Sequence, residues 1–112
     1  MAVYERPEPA LRSNREGDPE VELQIDAFVV ALGETVDALQ DAEATGDLAA
    51  LRVLAEPLIE RSLALGYDSL GEVAREIVAA AHDPNPDAAR KAVESFTELS
   101  KRVRRGHRSA AP

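Results

Sequence analysis

No cysteine occurs in the chain, which removes disulfide scaffolding and thiolate metal sites and agrees with a reducing, cytoplasmic setting. Aromatic residues are nearly as scarce, at 4% against 45% apolar residues in total. Alanine and leucine supply most of the apolar set, so a core has to be built from small and unbranched side chains at helical spacing. Long apolar runs are missing as well. The longest stretch free of charge, Ala27 to Gly33, falls far short of the roughly 20 residues needed to cross a bilayer. The opening residues MAVYERPEPALR hold no apolar core ahead of a small-residue cleavage site, so neither a secretory signal nor a membrane span is read here. Positive charge is in deficit: the net charge of −8 opposes general affinity for phosphate backbones and disfavours nucleic acid as a partner. The 112 residues suit one soluble domain, and the composition points to an all-α fold.

Residues 1–19 contain Pro7, Pro9 and Pro19 and few apolar positions, which predicts a flexible arm. From Glu20 the pattern changes. Leu23, Ala27, Val30, Ala31, Val36, Ala38, Leu39 and Ala42 fall near helical spacing, and the run stops at Gly46. Asp47 is placed to cap a second helix from Leu48 to about Leu65, stopped by Gly66. Asp68 or Ser69 can cap a third, with Leu70, Val73, Ala74, Ile77, Val78 and Ala81 on its stripe, ending before the turn Asp83-Pro84-Asn85-Pro86. Asp87 opens a fourth, carrying Ala88, Ala92, Val93, Phe96, Leu99 and Val103. Short connections predict an antiparallel up-down-up-down four-helix bundle over residues 20–105. Residues 106–112 read as a disordered basic tail. Lys101, Arg102, Arg104, Arg105 and Arg108 stand together without an acid, as cations near a helix C-terminus do.

On the second helix, steps of about 100° per residue from Leu58 gather Leu51, Leu54, Ala55, Ser62 and Leu65 into a buried stripe. Glu56, Ile59, Glu60 and Leu63 fall outside it, which predicts an open apolar patch rimmed by charge. Pro57 takes a bond from the carbonyl of Val53 at a cost of about 3 kcal/mol. The stripe nevertheless keeps phase across it, which predicts one kinked helix.

Ala55-Glu56-Pro57-Leu58-Ile59-Glu60, with Gly66 and then Leu70 following at fixed spacing, resembles the signature of the histidine phosphotransfer (HPt) domain of bacterial multistep phosphorelays, A-H-x-L-K-G, five residues, G, and L four positions later. Gly46-Asp47-Leu48 and Leu51 resemble that family's lead into its active helix, and the resemblance spans roughly residues 25–104. It implies an HPt-like four-helix bundle in two-component signalling. The departures decide the chemistry. Glu56 stands where the family has its phosphoacceptor histidine, Ile59 where it has a lysine, and Glu60 where it has a glycine. A carboxylate lacks the ring nitrogen that takes up and returns a phosphoryl group. An isoleucine cannot neutralise phosphoryl oxygens. Like charges about 4 Å apart at a partly desolvated surface repel by on the order of 4 kcal/mol, so Glu56 and Glu60 oppose a phosphoryl group.

The chain therefore reads as a non-catalytic HPt-like interaction module, a pseudo-phosphotransfer domain without cofactor or metal. It would bind a response-regulator receiver domain or a histidine kinase through Arg52, Glu56, Ile59, Glu60 and Leu63. A homodimer or larger structural assembly through the same patch is the alternative. His82, at the end of the third helix, and His107, in the basic tail, are read as lying off that face. The carboxylate pairs Glu56/Glu60 and Glu72/Glu76 lack the histidine partners of di-iron bundles, and no arrangement for nucleophilic catalysis stands out, so no enzyme is read.

Overall fold

The computed structural model describes residues 10–110, with side chains described as far as His107. It contains four helices and, among the described residues, no strand: α1 (Pro19–Ala44), α2 (Leu48–Ala64), α3 (Asp68–His82) and α4 (Pro86–Ala110). Three of the four helices begin where a side chain satisfies their first amides; α3 starts behind Tyr67 without such a bond, so neither Asp68 nor Ser69 caps it. The Asp18 carboxylate accepts from Glu20 N at 3.0 Å, and Pro19 follows at the first turn, where a missing N–H costs nothing. Hydrogen bonds from Arg15 and from the Glu20 amide hold the Asp18 carboxyl below the usual carboxylate range. Asp47 accepts from Ala50 N at 2.9 Å and Asn85 from Ala88 N at 3.1 Å, starting α2 and α4. Gly46 and Gly66, with φ of +71° and +84°, let α1 and α2 turn out into their connections.

α2 packs most extensively on α3, and α4 lies against both α3 and α1. The contact between α1 and α2 is the smallest of these. Phe96, Leu32, Leu39, Leu51, Leu70, Ile77 and Val103 are fully buried at the centre. Gln40 of α1 reaches Thr97 of α4, and Asp26 nearer the start of α1 reaches His107 nearer the end of α4.

Three expectations are corrected. The first half of α1 buries a different stripe from the one its spacing suggested: Ile25, Phe28, Val29 and Leu32 face the core, whereas Leu23 and Val30 are 84% and 74% exposed. The segment holds two overlapping apolar stripes. The one with Phe28, Ile25 and Leu32 removes more apolar area from water than the alanine-rich one, so it wins. Residues 10–18 are not a free arm, although residues 1–9 lie outside the described residues. Leu11 N donates to Arg102 O at 3.0 Å, Asn14 N to Gly66 O at 3.0 Å, and the buried Ser13 hydroxyl to Leu65 O. The segment thus ties α4 to the α2–α3 turn through polar groups, which an apolar count does not register. Residues 106–110 are helical, because α4 continues to Ala110 with Gly106 buried against Leu11. No helix among the described residues is long and apolar enough to cross a membrane.

Candidate functional site

α2 runs unbroken through Pro57. Pro57 is exposed, so the Val53 carbonyl deprived of its partner lies on the side that water reaches. Leu51, Ala55, Leu58 and Ser62 face inward, which turns Arg52, Glu56 and Glu60 to the exterior. Arg52 Nε donates to Glu56 Oε1 at 2.8 Å across one helical turn, with both side chains about half exposed. That geometry partly neutralises Glu56 and adds little stability, as exposed i, i+4 pairs do. Residue 56 therefore presents accepting oxygens, one of them already engaged by a guanidinium.

The other two members of the expected patch are placed differently. Ile59 is half-buried and packed against the core. Leu63, 38% exposed, leans over Gly71 of α3 so closely that a Cβ on residue 71 would come within 2.8 Å of it. The absence of a side chain at Gly71 opens the space that Leu63 fills. Leu63 keeps an exposed edge, as expected, while it covers Gly71, and Ile59 is half-buried in the α2–α3 seam, so the apolar patch is narrower than the helical wheel suggested.

An apolar side chain the sequence reading passed over takes their place. Val53 is 71% exposed, one turn before Glu56. The same wheel that placed Glu56 outside the stripe puts Val53 there too. Val53 also borders a shallow depression of about 450 Å³ with Leu48, Arg52, Glu56, Ala81 and His82. Here a further expectation is corrected: the C-terminal end of α3 packs beside the start of α2, so His82 lines the same depression as Glu56. His107 lies elsewhere, with its Nε2 2.8 Å from Asp26 Oδ1.

Among the described residues no group of three or more His, Asp or Glu side chains is gathered to hold a metal ion. No family model, no curated protein and no solved structure matches the chain.

Proposed function

We propose that the chain is a non-catalytic signalling module of HPt-like build, cytoplasmic, that binds a receiver domain or a histidine kinase through the exterior of α2. The observation that carries this reading is the position of Glu56. It stands half-exposed at the middle of α2, where the sequence resemblance puts an acceptor histidine, flanked by the exposed Val53 and Glu60 and engaged by Arg52. Two further features support it. Ala55, Leu58 and Leu70, retained from the signature, are buried, and Gly66 takes a left-handed conformation at the turn. The pairings Gln40 with Thr97 and Asp26 with His107 run in opposite directions along α1 and α4. So do Arg52 beside His82 and Leu63 beside Gly71 on α2 and α3, which favours the antiparallel up-down-up-down arrangement. In this reading the docking surface is Ala49, Arg52, Val53, Glu56 and Glu60, while Ile59 and Leu63 support it from the seam.

The test is a titration of the isotope-labelled chain with receiver domains and kinases from the same cell, followed by amide chemical shifts. Saturable perturbation centred on Val53, Glu56 and Glu60, lost in Val53→Lys, is the expected result, with no acid-labile label acquired from a phosphorylated receiver. Label on His82 or His107, or binding that ignores Val53→Lys, would overturn the reading.

One observation favours a second reading, a homo-oligomer. Leu23, Ala27 and Val30 form an exposed apolar stripe on α1. Sedimentation at two concentrations, repeated on Leu23→Lys with Val30→Lys, separates the two.

A further inference from the structure

At the opposite end of α2 from the depression, the docked segment 10–18, the start of α1 and the end of α4 enclose a cleft of about 380 Å³, within the range of small-molecule sites. Its apolar surfaces are Leu23, Ile25 and Tyr67. Tyr67 is only 3% exposed, with its ring stacked on Phe28 at a centroid distance of 5.9 Å. Its hydroxyl makes no hydrogen bond to a described residue and is not among the fully buried unpaired atoms, so it keeps some access to solvent beside the cleft. Three carboxylates line the cleft, those of Glu16, Glu22 and Asp26, against the single guanidinium of Arg12. Arg12 is spent on Glu16 at 2.8 Å, and Asp26 is joined to His107 at 2.8 Å, which among the described residues leaves Glu22 bonded to the backbone amide of Gly17 alone. Arg104, one of the α4 cations, has its guanidinium near Gly33, farther along α1.

We propose that this cleft binds a small organic amine, an ammonium group carried on an aromatic or branched aliphatic body. The cation would donate hydrogen bonds to the Tyr67 hydroxyl oxygen and to Glu22, using the phenol's unbonded oxygen and offsetting the excess of negative charge together. The apolar body would cover Leu23 and Ile25, and Leu23 is the most exposed large apolar side chain of the described residues. A neutral ligand of the same shape would gain the apolar contact alone. An anion would meet three carboxylates. Desolvation, and to a smaller extent Glu16, raise the phenol's pKa, so it stays neutral and free to accept the bond at ordinary pH. This assignment does not depend on the α2 surface.

The test titrates the full isotope-labelled chain with phenethylamine and, separately, with 2-phenylethanol, its neutral counterpart. Phenethylamine should shift the amides of Ser13, Asp26, Tyr67 and Gly106 saturably, and the alcohol should bind at least about tenfold more weakly. Tyr67→Phe keeps the ring and removes the hydroxyl, and should weaken the amine at least about fivefold, the scale of one lost hydrogen bond. Glu22→Gln, an exposed position that does not threaten folding, should weaken it about threefold and decides the matter if Tyr67→Phe misfolds. Equal affinity for amine and alcohol, no saturable shift, or unchanged affinity in Glu22→Gln overturns the proposal.

Discussion

Asn14 donates its backbone N–H to the carbonyl of Gly66 at 3.0 Å, and a Cβ on Gly66 would lie 2.5 Å from Asn14 Oδ1 and 2.7 Å from Arg15 N. The glycine at the α2–α3 turn thus serves two ends. It takes the left-handed conformation that ends α2, and it leaves room for a segment more than 50 residues earlier in the chain to lie against the turn.

Gly66→Ala should consequently lose about 2 kcal/mol or more, since a left-handed non-glycine residue costs about 1–2 kcal/mol before any displacement of the docked segment. Urea denaturation measures the loss. Faster hydrogen exchange at Asn14 N should accompany it, whereas Gly46→Ala, where nothing lies within 4 Å, should leave Asn14 protected.

Val53 and the pair Ile59 with Leu63 should behave oppositely. Val53→Lys should change stability by no more than about 0.5 kcal/mol, as surface substitutions do. Ile59→Asp with Leu63→Asp should cost about 2–4 kcal/mol, because a charge would enter the α2–α3 seam beside Gly71. Thermal melts of the two variants separate the open part of the α2 surface from its support. Equal melting temperatures would return Ile59 and Leu63 to the exterior.

Ser62 faces the core of α2 with its hydroxyl buried and without a partner among the described residues. Ser62→Ala removes that unpaired group at nearly constant shape, so stability should hold or rise by about 1 kcal/mol. A loss greater than about 1 kcal/mol on chemical denaturation would mean that the hydroxyl is bonded.

Burial, with a smaller contribution from Glu16, raises the Tyr67 phenol above its ordinary value near 10. The folded state favours the neutral phenol. Its contribution to stability is therefore complete below the unfolded value and is lost as pH rises through the higher folded one. In a Tyr4→Phe chain, where Tyr67 is the remaining tyrosine, phenolate absorbance should develop later on raising the pH than in the urea-unfolded protein. Coincident titrations would place the hydroxyl in open water.

The helices were legible because capping residues and breakers mark their ends: Asp47, Gly46, Gly66 and the Asp83–Pro86 turn are local signals that tertiary structure left in place. The inward stripe of α2 was legible for a similar reason, since Leu51, Ala55 and Leu58 have no competing stripe. α1 does have a competitor, and the choice between Leu23/Val30 and Ile25/Phe28 depends on which side chains find partners on other helices. The same holds for the surface of α2. Periodicity placed Glu56 and Glu60 outward, but it could not show that Gly71 would open a seat for Leu63 or that the end of α3 would bring His82 beside Arg52. The docking of residues 10–18 was hidden because it rests mostly on backbone amides and polar side chains, with Leu11 alone packed on the core, which is too little to show as a hydrophobic pattern.

The helices are unequal in length. At about 1.5 Å per residue, α1 and α4 reach about 39 and 38 Å, and α2 and α3 only about 26 and 23 Å. The long pair overhangs the short pair, and the strap from Leu11 to Asp18 braces the overhang from beneath. The strap is held by the amides of Leu11 and Asn14, the Ser13 hydroxyl and the packing of Leu11, fewer ties than the helices make with one another, so it is the part expected to open first under hydrogen exchange. Any molecule that lodges under the overhang would act as a keystone, setting how often that end of the protein comes apart.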